Sequence, residues 1–495
     1  MTTIRAKERT LVQRALGGHA AIGLLACALI YIISLTGTII VIHDRWQRWE
    51  QPAVAEMATL TPRAAQAAMT SVAALDRHGP KTSHLYIRMP TNALPRAVVT
   101  TDGGGWYVDE GGRPVAREHN QWIEFVIGLH EYLHLPSTFG MILVGAIGVA
   151  LAALLVTGVL AHPRIVRDAF RLRSRQHPQI ARVDWHNRLG VWTLPFVLAV
   201  ALTGAFIGLG NVGFTVLARA YAGGDILRAY TSVYGEEPAA DAGPAQLPDI
   251  STALTTLAAR VPSSTPTYVI VHDPGTRGQH VQIIATHPRR LIYGETYRFD
   301  AAGAWGGAVG MADGPLGRQA AASTYNLHFG NFGGLAIEIA YTLFGLCLCV
   351  VTAAGTTLWL DKRRRRGRES VRLRTGWAVI VWGTPLMILV AYWFKVVAGP
   401  TASLPTVFWS GVAALLILAI TRPVVSVDHH LSRLLAFSLI LTAIAHFLVG
   451  GLADPASIGI DLILIVGSAA TVLATKRRKV ERWNPDIDRA VASAD

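Results

Sequence analysis

His19–Gly37, HAAIGLLACALIYIISLTG, and His186–Gly204, HNRLGVWTLPFVLAVALTG, follow one plan. In each, a histidine opens an apolar stretch, a glycine follows four residues later and a Thr-Gly pair closes it, so His19 stands to Thr36 as His186 stands to Thr203. An internal repeat governs how the rest of a chain is read. This one sets two histidines at the same depth of two helices, half of a cage for a cofactor.

Working outward, apolar blocks recur near 20–42, 138–161, 187–209, 333–358, 376–397, 404–420, 431–451 and 456–475. A bilayer core of ~30 Å needs ~20 apolar residues per helix, so the blocks predict about eight transmembrane helices. The composition agrees, with 51% of the 495 residues hydrophobic and 16% charged. The first block is too long for a secretory signal, and His43-Asp44-Arg45-Trp46 follows it in place of a small-residue cleavage site. The net charge of +13 is concentrated in particular loops: Arg164–Arg182, Lys362–Arg368 and Lys476–Lys479, with further basic residues before the first helix. Such loops mark the cytoplasmic side. They predict cytoplasmic termini and read as topology signals rather than nucleic-acid sites. The three cysteines fall inside apolar blocks, so neither a disulfide framework nor zinc spacing is available.

Two long outside segments interrupt the first four helices. The first opens with the helical LTPRAAQAAMTSVAALDRHG and continues with strand-like HLYIRM, RAVVTT and GWYVDEGGRPV. The second repeats the order, with LPDISTALTTLAARV as helix and TYVIVHD, HVQIIATH and LIYGETYRFD as strands. Each predicts a small α+β module with one helix and about three antiparallel strands. The repeat unit, helix–module–helix, contains an even number of spans, so the halves should be related by an axis along the membrane normal. The chain then divides into an N-terminus with helix one (1–43), module one (44–129), helices two and three with a basic loop (130–209), module two (210–327), helix four with a basic loop (328–375), an appended four-helix bundle (376–475) and a tail (476–495).

The histidines of the repeat gather at helix ends. His19, His162 and His186 belong to the cytoplasmic side, and His43, His130, His134 and His328 to the outer side. Haem iron takes two axial ligands, often imidazoles, and helical bundles build such sites from facing helices. The two histidine sets therefore predict two haems, one near each face. Gly23, Gly190, Gly37 and Gly204 would allow close approach to another backbone or to a flat macrocycle. His130 and His134, at i and i+4, share a helix face, and spacing does not choose between them. His162 competes with His19 and His186. His43 has no partner in the repeat. His78, His84, His272, His280 and His287 fall in the modules and read as surface residues. In the appended bundle Lys395, His446 and Asp461 are ionisable residues in apolar surroundings; an interhelical hydrogen bond is the favoured reading of His446, the deepest. There is no Walker loop, H-E-x-x-H, G-x-S-x-G or dinucleotide fingerprint.

HAAIGLLACALIYIISLTGTIIVIHDRWQRWEQP, FVIGLHEYLHLPSTFG, LLVTGVLAHPRIVRDAFRLR, DWHNRLGVWTLPF and YNLHFGNFGG with the later TLWLDKRRRR occur in an order that resembles the PepSY-associated transmembrane helix family, bacterial iron-regulated inner-membrane proteins. The resemblance covers the four helices of the repeat, to about residue 365. It implies periplasmic PepSY-type modules between helices 1–2 and 3–4, two b-type haems with histidine ligands, and reduction of ferric siderophores in the periplasm with release of Fe(II). Carried over by motif, the ligand candidates are His19, His130, His134, His162, His186 and His328; the family pattern does not lead one to expect His43, and the last four helices extend beyond the shorter reductases. The reading is a dihaem electron-transfer protein acting on a ferric siderophore or chelate, with a membrane quinol or a cytosolic reductase as donor. Its alternatives are a non-enzymatic sensor or anchor that binds a periplasmic peptide or protein, and a secondary transporter for a siderophore or metal that uses His446.

Overall fold

A computed structural model describes residues 10–76, 79, 82–162, 164–165, 178–234, 238, 241–423, 426–450 and 454–480. His78, most of the basic 163–177 loop and the 481–495 tail lie outside the described residues. The first repeat comprises α1 (Leu11–Ile40), α2 (His43–Glu50), α3 (Pro62–Leu75), β1 (His84–Arg88), β2 (Ala97–Thr101), β3 (Gly104–Val108), β4 (Pro114–Arg117), α4 (Gln121–Glu131) and α5 (Ser137–Ala161). The second comprises α6 (Pro178–Trp192), α7 (Leu194–Gly208), α8 (Gly210–Tyr221), α9 (Ile226–Tyr234), α10 (Ile250–Arg260), β5 (Thr265–His272), β6 (His280–Thr286), β7 (Glu295–Phe299), β8 (Trp305–Ala308), α11 (Leu316–Phe329) and α12 (Gly334–Arg365). The appended bundle is α13 (Val371–Thr401), α14 (Leu404–Thr421), α15 (Val427–Gly450) and α16 (Pro455–Val480).

Among the described residues, seven helices are long and apolar enough to cross a membrane, and α6 with α7 make an eighth as a pair bent by 64°. This is a multi-pass membrane protein. The bend has a local cause. Pro195 has no N–H to give to the carbonyl four residues back and its ring crowds that turn, while the Thr193 hydroxyl donates to Leu189 O at 2.7 Å. Proline acts again in α13, where a π-helical turn, Val379–Gly383, precedes Pro385. The carbonyl that Pro385 cannot serve, that of Val381, accepts the Tyr31 hydroxyl of α1 at 2.9 Å. A defect inside the bundle thus becomes a bond to the repeat.

Outside the spans, the expectation of about three strands per segment falls short. Each segment contributes four, and the eight form one antiparallel sheet in the order β4-β3-β2-β1-β5-β6-β7-β8. The two segments meet at β1 and β5, paired His84↔His272, Tyr86↔Ile270 and Arg88↔Tyr268. Each strand would otherwise leave an open edge, and their pairing removes both. The missed strands, Pro114–Arg117 and Trp305–Ala308, are four-residue edge strands with too few alternating positions to show a period. α3 and α10 cover one face, burying Ala65, Ala68, Met69, Val72, Leu254 and Leu257 against Leu85, Ile87, Val269 and Val271. Gln66 of α3 accepts the Ile250 N–H at 2.8 Å and so caps α10 across the seam, a contact of the kind worth ~1 kcal/mol.

The other face roofs a polar chamber of about 860 Å³. Tyr86, Arg88, Thr100 and Tyr268 line it from the sheet, Glu118, Asn120 and Glu124 from the approach to α4 and α4 itself, and Lys395 from the bundle. The bundle docks on α12 of the second repeat through Arg374, 3.0 Å from Asp361, and Trp377, whose Nε1 donates to Ala353 O at 3.4 Å, and on the first repeat through further tryptophans. Trp49 Nε1 donates to Asp461 at 2.9 Å, Trp122 Nε1 to Ile388 O at 3.0 Å and Trp409 Nε1 to Leu133 O at 3.1 Å.

Candidate functional site

The spans and the short helices under the sheet bring four histidines into two facing pairs. His19 of α1 meets His186 of α6, ring centres 6.5 Å apart and planes at 82°. His130 of α4 meets His328 of α11, 6.1 Å apart and at 30°. With metal–imidazole bonds of about 2.0–2.1 Å and roughly 1.1 Å from nitrogen to ring centre on each side, two imidazoles trans across one metal have centres about 6.3 Å apart. Both pairs stand at that separation.

Each ring is anchored by Nδ1. His19 Nδ1 lies 3.0 Å from Leu154 O, His130 Nδ1 2.9 Å from Ile33 O, and His186 Nδ1 3.0 Å from Val351 O. His328 Nδ1 lies 3.0 Å from the Thr203 hydroxyl. A backbone carbonyl takes a proton from Nδ1, which fixes the tautomer and leaves Nε2 as the lone-pair nitrogen; metal-ligating histidines are held this way. A glycine lies behind each ring. A Cβ at Gly37 would sit 2.7 Å from His130 Cε1, at Gly204 2.8 Å from His328 Cε1, at Gly355 3.0 Å from His186 Cε1 and at Gly158 3.3 Å from His19 Cε1. The rings therefore lie directly on a neighbouring backbone.

The two halves build these sites alike. α5 holds His19 as α12 holds His186, and α1 holds His130 as α7 holds His328. The outer level is set well away from the inner one: Ile33, which anchors His130, is 14 residues beyond His19 on α1, about 21 Å at ~1.5 Å per residue. Burial holds His130 and His328 below the ordinary histidine value, with the nearby His130 adding to the effect on His328, which falls to about 4. Both are thus neutral, as a metal ligand must be. An apolar cavity lined by Ile33, Val144, Val200, Phe196 and Leu348 adjoins this outer pair.

The remaining candidates are placed differently. His134, at a left-handed φ of 53°, turns back on α4: its ring stacks on Phe125 at 5.2 Å and Nε2 donates to Phe125 O at 2.8 Å. Of the two, His130 faces another histidine ring and His134 does not. His162 is the residue just past α5, its backbone N–H on Val159 O, one turn beyond Gly158. His43 starts α2, with Nε2 2.9 Å from Asp44. His446 has both nitrogens engaged at 3.0 Å, with Asp461 and with Trp49 O, and stacks on Trp49 at 4.4 Å. His272 and His280 are buried, not on the surface; they stack at 4.3 Å, with His84 edge-on to His272 at 4.8 Å. Among the glycines singled out in the sequence, Gly37 and Gly204 lie against the His130 and His328 rings. Gly190 meets nothing within 4 Å and Gly23 only the Leu154 side chain at 3.6 Å. Gly158 and Gly355 were missed, because they matter through rings carried on other helices. Among the described residues no group of three or more His, Cys, Asp and Glu side chains could hold a metal ion. The paired geometry instead suits a metal that brings its own equatorial donors.

A family model described as "PepSY-associated TM region" matches residues 17–362. The match starts two residues before His19 and ends with Lys362, so it contains both pairs and excludes the appended bundle. The uncharacterized protein PA4219 of Pseudomonas aeruginosa is 29% identical over 263 residues, 51% of this chain and 66% of that protein, so the match spans just under two thirds of the relative's length.

Proposed function

The chain belongs to the PepSY-associated transmembrane family, and from that premise we propose that it is a bacterial inner-membrane electron-transfer protein with two b-type haems, one between His19 and His186 and one between His130 and His328. It reduces a ferric siderophore or other ferric chelate on the periplasmic side, where Fe(II) leaves the hard oxygen ligands that hold Fe(III). The single observation that carries the reading is the pairing itself: four histidines, related by the internal repeat, at bis-imidazole separation, with Nδ1 tied back in every case.

When bound, haem supplies a one-electron centre at each level. The chain's own residues do the rest. Leu154, Ile33, Val351 and Thr203 orient the rings, and the glycines admit them. The apolar side chains between the levels exclude water and ions from the path. The sheet, with its chamber above the outer pair, gives a polar chelate a place to meet that level without entering lipid. The positive-inside tendency of the basic loops favours a cytoplasmic position for the inner pair, within reach of a quinol or a cytosolic reductase.

One preparation tests the reading. The full chain is purified in detergent from cells supplied with haem, and its absorption is recorded before and after dithionite. Two haems per chain with reduced b-type bands are expected, along with oxidation of the reduced protein by a ferric hydroxamate and appearance of Fe(II) trapped by ferrozine. Absence of haem sinks the proposal; haem without oxidation by ferric chelates removes the reductase and leaves an electron carrier.

A further inference from the structure

The outer cavity contains one titratable side chain besides the facing histidines and Tyr341, and it is His43. The other polar groups around it are mostly spoken for. The Thr38 hydroxyl donates to Ser34 O at 2.6 Å and the Tyr341 hydroxyl to Leu327 O at 2.6 Å. His43 is committed on one side only. Nε2 lies 2.9 Å from Asp44, Asp44 is paired in turn with Arg88, and Arg88 Nη1 donates to Gln47 at 3.1 Å. Among the described residues nothing takes Nδ1. Burial works against the charged ring, but Asp44 outweighs it and raises His43 above the ordinary histidine value. The ring thus has Nε2 on a buried carboxylate that favours its charged form, and Nδ1 uncommitted at the edge of the cavity. The pair construction does not need it: the second repeat has Gly210 at the matching offset from its span, with nothing within 4 Å of a Cβ there. An imidazole backed by a carboxylate at the edge of a mostly apolar cavity fits an anionic, carboxylate-bearing rim.

We propose that His43 grips a carboxylate on the rim of the group held between His130 and His328, a haem propionate, with Asp44 and Arg88 positioning the ring. The inference rests on the haem reading above. It gives His43 a binding role distinct from iron ligation.

The test uses full chain carrying His186→Leu, so that only the outer site fills, purified without haem. It is titrated with haem and with haem dimethyl ester, in which both carboxylates are blocked, and followed by absorption. Haem is expected to bind about tenfold more tightly than the ester, the scale of one charge-assisted hydrogen bond. With His43→Leu added, haem affinity falls to that of the ester and the ester is unaffected. His43→Gln, which keeps an N–H donor, recovers part of the preference. Retained ester binding shows that the His43→Leu site is folded. Equal binding of haem and ester before His43 is changed, or a preference that survives His43→Leu, overturns the assignment while leaving the haem reading intact. Failure of haem to bind at all overturns the haem reading, and this inference with it.

Discussion

The inner and outer histidine pairs are built alike and set in different surroundings. Both have Nδ1 tied back and a glycine behind each ring. Yet the inner rings come from spanning helices, whereas the outer rings come from α4 and α11, short helices under the sheet. The inner planes cross at 82° and the outer at 30°. The outer pair has an ion cluster, His43–Asp44–Arg88, leading to a chamber, whereas on the inner side Arg182, one turn before His186, pairs with Asp361, which also holds Arg374. The repeat fixes the histidine positions; what surrounds each level distinguishes it. The largest effects should come from breaking one level at a time. His19→Leu or His186→Leu should each remove one haem of two and leave the outer centre reducible by dithionite. His130→Leu or His328→Leu should remove the other and abolish chelate reduction. His134→Leu and His162→Leu should retain both haems by absorption. Full haem in all four paired variants would break the comparison at its root.

The glycines offer a graded version. Adding a methyl at Gly37 or Gly204 puts Cβ within 2.7–2.8 Å of an imidazole, whereas Gly355 gives 3.0 Å and Gly158 3.3 Å. The rings cannot retreat without giving up their carbonyl or hydroxyl partners, and overpacking typically costs ~1–3 kcal/mol. Haem retention through a gel-filtration column should therefore fall in the order Gly158→Ala, Gly355→Ala, then Gly204→Ala and Gly37→Ala. The outer level should prove the less tolerant of the two. An equal effect at all four would mean that ring placement is not limiting.

Much of this plan is legible in the sequence, for a physical reason. Long apolar blocks, Thr-Gly repeats and basic loops are local signals, and the spans, the repeat and the histidine levels follow from them. What was not legible depends on partners far along the chain. Nothing near His84 says that its strand pairs with β5, so one sheet of eight strands reads as two modules of about three. His130 and His134 differ by one helical turn in spacing, and only the left-handed backbone at Leu133 and His134 turns the second ring away. Gly158 and Gly355 matter through rings on other helices, and no pattern within their own spans marks them. His446 is a case of the same kind: apolar flanks flagged it, and its meaning came from Trp49 and Asp461.

The contact of His446 with Asp461 and Trp49 gives a smaller effect, since it involves none of the four paired histidines. His446→Leu leaves Asp461 with one buried partner fewer, a loss of about 1–3 kcal/mol. Thermal unfolding in detergent should shift down by several degrees while both haem bands stay in place. A change in the outer band alone would show that the bundle helps to set the outer centre, and would sharpen the difference between the levels.

The smallest effect is spectroscopic, and it tests the ring angles directly. Each axial imidazole donates π-density into the iron d orbital perpendicular to its own plane. Rings at 82° act on both members of the dπ pair, leaving them nearly degenerate, so the oxidised inner centre should give a low-spin paramagnetic resonance signal with a large principal g value. Rings at 30° act mainly on one member, lift the degeneracy and give a rhombic signal. The wild-type spectrum should therefore be the sum of two distinct species, and His186→Leu should remove the first while His328→Leu removes the second. Two identical signals would mean that the rings turn when haem binds. The equivalence implied by the repeat would then extend to ring orientation, and the levels would differ only in what surrounds them.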